Sequence, residues 1–186
     1  GDNLTTGTAN TFMGYGSGGT TNAGSYMVAI GYEAMNASNV QSGANHSIAI
    51  GTNALNALTS GADNIAIGRN AGIAVTSGNH NNLIGKEAGT ALTTGHTNSL
   101  FGKAAGYSMT TGNTNVSMGE DSMYYGTTVS QSVAIGKNAG AGDTGNSNIG
   151  IGYNAMNVNG ASGDHNIAIG NAAGNALTSG KNNILM

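Results

Sequence analysis

Cysteine, proline and tryptophan are all missing from this chain, and charged residues make up only 7% of it. Without cysteine the redox compartment cannot be read, because a secreted repeat protein dispenses with disulfides when its backbone ladders are long. A disordered chain of low hydrophobicity would be rich in charge and proline, so their scarcity argues against disorder and for a backbone-dominated β structure. No stretch approaches the ~18 consecutive apolar residues of a spanning helix, so membrane insertion is not expected. The formal charge of −3 gives no reason to expect nucleic acid or an anionic membrane as partner.

What the chain has is glycine, 33 residues in 186, with Asn, Thr, Ser and Ala filling most of the rest. A glycine preceded by a short apolar strand returns at Gly14, Gly31, Gly51, Gly68, Gly85, Gly102, Gly119, Gly136, Gly152 and Gly170. The steps are 17, 20, 17, 17, 17, 17, 17, 16 and 18 residues. So short a period, held over the whole length, predicts an all-β solenoid of about ten 17-residue coils, residues 1–186 forming a single repeat domain. At ~4.8 Å per rung, ten coils make a rod about 50 Å long.

The residue before each of these key glycines is large and apolar: Met13, Ile30, Ile50, Ile67, Ile84, Phe101, Met118, Ile135, Ile151 and Ile169. Two residues further back stand Val28, Ile48, Ile65, Val116, Val133, Ile149 and Ile167. Strand alternation puts both positions on one face, expected to be the coil interior. The residue between them is mostly small, as at Ala29, Ala49 and Ala66, and is expected to point outward, where it would admit a second layer.

Alanine three residues after the glycine, as at Ala54, Ala71 and Ala88, predicts a tight interior corner. A second glycine follows at Gly61, Gly78, Gly95, Gly112 and Gly180, suited to positive φ or to touching backbones. Asn64, Asn81 and Asn98, with Asn10, Asn115, Asn148, Asn166 and Asn183, fall at one register position and predict a stacked amide ladder. A threonine ladder is expected through Thr59, Thr76, Thr93, Thr110, Thr127, Thr144 and Thr178.

The register breaks at three places. Three extra residues lie within 36–43, the first coil lacks apolar positions, and the coil after Gly119 carries Val129 at a turn-glycine position beside Tyr124 and Tyr125. This aromatic pair is the candidate for stacking on a sugar ring, against the plainer reading that it packs over an irregular turn. The chain opens at Gly1 within a repeat and stops at Met186 short of a corner, which reads as a processed chain or fragment with uncapped ends, or as a subunit that stacks end to end.

Catalytic chemistry needs acids, bases or nucleophiles converging in a pocket, whereas the eight acidic residues are scattered, so neither an enzyme nor a cofactor is expected. His46, His80 and His165 share a register position but not consecutive rungs, so a shared metal is not expected. Asp63, Asp143 and Asp164 lie at turns without the calcium-binding glycine-aspartate repeat. The Thr-Ser/Thr pairs are adjacent in sequence and alternate in direction, unlike the parallel Thr ranks of an ice-binding face. Arg69, Lys86 and Lys103 follow the key glycine on three successive coils and form a basic column ending at Glu120, a candidate surface for an anionic polysaccharide.

The segments HSIAIGTNALNALTSG, DNIAIGRNAG and QSVAIGKNAG resemble the repeats in the heads of YadA-like trimeric autotransporter adhesins. They are more similar still to the NxAIGxNAG...TTG arrays of phage tail fibres and related bacterial surface proteins. The resemblance covers nearly the whole chain and rests on structural residues, among them Ile67, Gly68, Ala71 and Gly78. It implies a left-handed β-roll, three copies of which pack side by side as a homotrimer. It further implies an extracellular, cell-surface or virion-associated fibre that spaces or presents a surface for a receptor or cell-surface glycan.

Overall fold

The computed structural model describes residues 4–19, 23–37, 43–142, 144–158, 160 and 162–186. Most of the expected bulge within 36–43, part of the first coil, and Asp143 lie outside the described residues. The described chain is a parallel β-solenoid without helix. Its strands are β1 (Thr11–Met13), β2 (Val28–Ile30), β3 (Ile48–Ile50), β4 (Ile65–Ile67), β5 (Asn82–Ile84), β6 (Ser99–Phe101), β7 (Val116–Met118), β8 (Val133–Ile135), β9 (Ile149–Ile151), β10 (Ile167–Ile169) and β11 (Ile184–Leu185).

The strands form one eleven-stranded sheet in sequence order, each paired in parallel with the next. Ile50 pairs with Ile67 and Ile67 with Ile84, so equivalent side chains stack as the glycine spacing requires. Each key glycine has a φ that disfavours any side chain; at Gly51 it is +131°, and an added Cβ would lie 2.7 Å from the carbonyl of Gly68 on the next coil. The second glycine works differently. Gly61, Gly78 and Gly95 are not in the left-handed region but press against the carbonyl of the equivalent residue one coil on, leaving no room for a side chain.

The facing of the strands is the reverse of the sequence expectation. Ala29, Ala49, Ala66, Leu83, Leu100 and Ala168, the middle residues, are completely buried, while Ile50 and Ile67 are 36% and 37% exposed. The period of two establishes that Ile65 and Ile67 share a face, but not which face is inside. A seventeen-residue coil encloses a thin core, and the alanines at Ala34, Ala54, Ala71, Ala88 and Ala105 with Leu58, Val75, Leu92 and Met109 already fill it. The strand therefore contributes one small or single large side chain inward per rung and turns its branched pair outward.

Volume inside is traded between rungs. Where the strand centre becomes leucine, at Leu83 and Leu100, the corner four residues after the key glycine is Gly89 or Gly106, and the coil before Leu83 also has glycine at that corner, Gly72. A Cβ at Gly72 would lie 2.6 Å from Leu83 Cδ1, and one at Gly106 would lie 2.7 Å from Leu100 Cδ1. Where the strand centre is Ala49 the corner is the buried Leu55.

Ladders of side chains hold the coils at this spacing. Asn81 Nδ2 donates to the Gly95 carbonyl at 2.9 Å and to Asn64 Oδ1 at 3.0 Å, and Asn98 repeats both contacts one coil on. Thr59 Oγ1 donates to the Thr76 carbonyl at 3.0 Å, and Thr76, Thr93 and Thr110 do the same to the next threonine. These contacts stabilise a backbone that is otherwise costly, because residues such as Asp63, His80, Thr97 and Thr114 sit at φ between 56° and 60°.

Candidate functional site

The irregular coil after Gly119 builds the most distinctive surface. Tyr107 and Tyr124 occupy the same register position on successive coils, and their rings stack with centroids 4.9 Å apart and planes 3° from parallel. Tyr125 meets Tyr124 edge-on, with centroids 4.7 Å apart and an interplanar angle of 71°. The backbone is fixed beneath them: the Ser108 N–H donates to the Tyr124 carbonyl at 3.0 Å and the Tyr125 N–H to the Ala141 carbonyl at 2.7 Å. Burial, reinforced by the neighbouring Tyr107 and Tyr125 hydroxyls, raises the Tyr124 phenol above its ordinary range.

On the following coil the position of the stacked rings is taken by Ala141, and then by Asn157. The loss of a ring there leaves a recess of about 360 Å³ lined by Asp121, Tyr124, Tyr125, Asn138, Ala141 and Asn157. Asn154 Oδ1 accepts from Asn138 Nδ2 at 3.0 Å and from Asn157 Nδ2 at 3.3 Å, so one amide orients two others at the rim. Tyr125 remains 53% exposed. The sequence pointed to Tyr124 and Tyr125; Asp121, Asn138 and Asn157 carried no signal, because they belong to different coils and come together only through the stacking.

The basic column is brought together but not left free. Arg69 Nη2 lies 3.0 Å from Glu87 Oε1, with Lys86 Nζ 3.6 Å from the same oxygen. Glu120 does not end the column but bridges it, with Lys103 Nζ at 2.8 Å from Oε1 and Lys137 Nζ at 3.0 Å from Oε2. The hydrogen bonds from Lys103 and then Lys137 hold the Glu120 carboxyl down to about 2, and Glu120 raises both ammonium groups. These exposed ion pairs leave much less positive potential for a polyanion than the three cations alone suggested.

His46 and His80 flank Asp63 on consecutive coils, at 4.0 Å and 3.7 Å from its two carboxylate oxygens. Tyr26 stacks on His46 with centroids 5.0 Å apart. The Asp164 carboxyl is lowered, chiefly by the hydrogen bond from Lys181 and then by that from the Asn146 N–H. Asp164 belongs to a second, outer ladder in which Asn45, Asn79, Asn113, Asn146 and Asp164 each accept a backbone N–H from the preceding coil.

A further surface feature is the outward strand face. Ile30, Ile50, Ile67, Ile84, Phe101, Met118, Ile135, Ile151 and Ile169 run in one column, with Val28, Ile48, Ile65, Val116, Val133, Ile149 and Ile167 beside it, interrupted by Asn82 and Ser99. The strip is roughly 50 Å by 10 Å. Soluble monomers seldom leave more than a few hundred square ångströms of contiguous apolar surface in water without a use for it.

No protein-family model, no curated protein and no solved structure matches this chain.

Proposed function

We propose that this chain is a structural segment of an extracellular or virion-associated fibre, in which three copies pack side by side through their outward isoleucine and valine columns. The observation that carries this reading is the unbroken apolar column from Ile30 to Ile169 on the outer face of β2–β10, with Ile50, Ile67, Ile135 and Ile169 each more than a third exposed and a second column beside it broken at Asn82 and Ser99. At roughly 500 Å² per chain, a pair of such strips reaches the ~1,000 Å² at which a specific interface begins. The work of such a segment is mechanical. Parallel ladders and a thin alanine-leucine core keep a rod stiff without disulfides, metal or an enzymatic site, and a receptor is engaged at irregular coils or at an adjoining tip.

Light scattering on the purified chain tests this directly. The expected mass is three times the 18.2 kDa protomer, and Ile67→Lys with Ile135→Lys is expected to give a folded monomer. A monomeric wild type at micromolar concentration overturns the side-by-side arrangement. Electron microscopy that shows long filaments instead of short rods would favour axial stacking.

A further inference from the structure

We infer that the recess beside Tyr125 is a binding site for a neutral hexopyranose unit. The inference deepens the fibre reading by giving the irregular coil a ligand class, but the recess lies within one chain, so it does not depend on trimer formation. Four observations converge on this class.

First, an aromatic ring is both presented and held. Tyr124 is clamped between the parallel ring of Tyr107 and the perpendicular ring of Tyr125, and this packing fixes Tyr125, which stays 53% exposed. A rigid exposed tyrosine offers a π face to the C–H face of a sugar with little rotamer entropy left to lose. Second, the polar groups at the rim are planar acceptors and donors. Asp121 contributes a carboxylate with no hydrogen bond or ion pair to the described residues, and Asn138 and Asn157 are oriented by Asn154. Carboxylates and amides pair two-point with neighbouring hydroxyls, the pattern a hexose carries around its ring.

Third, the size fits: about 360 Å³ lies at the small end of the ~300–1,000 Å³ range of small-ligand sites. Fourth, the charge selects. The one ionised group in the lining is Asp121; Lys103 and Lys137 lie within its electrostatic reach but do not line the recess, so a uronate or phosphorylated sugar meets a carboxylate at contact where a neutral sugar meets an acceptor. The recess is built on the turns that follow β7, β8 and β9, not on the outward strand face, and is therefore a separate surface from the apolar columns.

Saturation-transfer NMR with methyl glucopyranoside, methyl galactopyranoside, methyl mannopyranoside, N-acetylglucosamine and glucuronate tests the proposal. Transfer to at least one neutral sugar is expected, with glucuronate weaker by several-fold. Tyr125→Ala is expected to weaken binding by about tenfold or more, Tyr125→Phe to retain most of it, and Asp121→Asn to weaken it several-fold. All of these substitutions are at the surface, and circular dichroism verifies that each variant keeps the solenoid; if Tyr125→Ala loses the fold, Asp121→Asn alone decides. Absence of transfer to every neutral sugar overturns the site, as does binding that is indifferent to these substitutions or stronger for glucuronate. A chain that assembles as a trimer and binds none of these sugars overturns this inference while leaving the fibre reading intact.

Discussion

Asn81 reaches back to Asn64 twice: its side-chain Nδ2 and its backbone N–H both donate to Asn64 Oδ1, each at 3.0 Å. The same amide donates forward to the Gly95 carbonyl at 2.9 Å. One buried side chain thus joins three coils, and the two donor sites of its nitrogen are both used. The substitution Asn81→Asp turns those donors into acceptors that face the Gly95 and Asn64 oxygens. The variant is expected to lose at least about 3 kcal/mol at neutral pH relative to wild type. Because burial and facing oxygens raise the folded-state pKa of the new carboxyl, it protonates as pH falls and regains a donor. The deficit relative to wild type should therefore shrink between pH 7 and pH 3 in denaturant melts.

Strand facing predicts opposite responses from neighbouring residues. Leu83 is completely buried, so Leu83→Ala should cost about 2–5 kcal/mol by leaving a cavity between coils. Ile67, 37% exposed on the outer face, should tolerate Ile67→Ser with a loss below about 1 kcal/mol in a monomeric background. Urea titration of both variants in the presence of Ile135→Lys separates core packing from assembly.

Glycines divide by what lies across from them. Gly51→Ala would force a Cβ to 2.7 Å from the Gly68 carbonyl at a φ of +131°, and a loss of about 3 kcal/mol or more is expected. Gly160 also has positive φ, +81°, but nothing lies within 4 Å of an added Cβ. Gly160→Ala should cost only the ~1–2 kcal/mol of the backbone conformation. Thermal melts of the pair test whether close approach, and not φ alone, sets the requirement.

The bridge at Glu120 gives stability a pH dependence of definite sign. Its folded carboxyl, held at about 2 by Lys103 and Lys137, lies below its ordinary value of 4.5. The stabilisation is therefore present above pH 4.5 and is lost as the pH falls toward 2. The melting-temperature difference between wild type and Glu120→Gln should be largest near neutrality, narrow over that window, and diminish in high salt, since the pairs are exposed. A difference that stays constant from pH 6 to pH 2 would refute the assignment.

How much of this was legible in the sequence depends on what a residue's role demands. Gly51, Gly68, Gly85 and Gly102 are nearly irreplaceable where they stand, so their spacing fixed the coil length and the in-register pairing of Ile50, Ile67 and Ile84. Asn64, Asn81 and Asn98 were legible because an amide has two donors and an acceptor in one plane and so bonds to the coils on both sides at once, whereas Ser47 and Ser132 at the same position accept the axial N–H with a single hydroxyl. The direction of the strand face was not, because alternation is symmetric between inside and outside, and the large columns were assigned inward. The outer ladder escaped notice because accepting a single N–H is within reach of Asn, Ser or Asp, so Asn45, Asn79, Asn113 and Asn146 are not on successive coils and Ser130 and Asp164 break the pattern. The pairing of Lys103 and Lys137 on Glu120 was hidden because a column of cations was visible while its bridging partner read as an end.

Every strand of this sheet is bonded only to the strands immediately before and after it in the chain. The cross-section is consequently independent of the number of rungs, and length becomes a quantity set by gene duplication and deletion. Excising residues 69–85, one whole coil from glycine to glycine, would shorten the object by a single increment of about 4.8 Å and leave every other joint unaltered. Position in the chain thus converts to distance along the axis, most rungs counting for seventeen residues and the others for 16, 18 or 20.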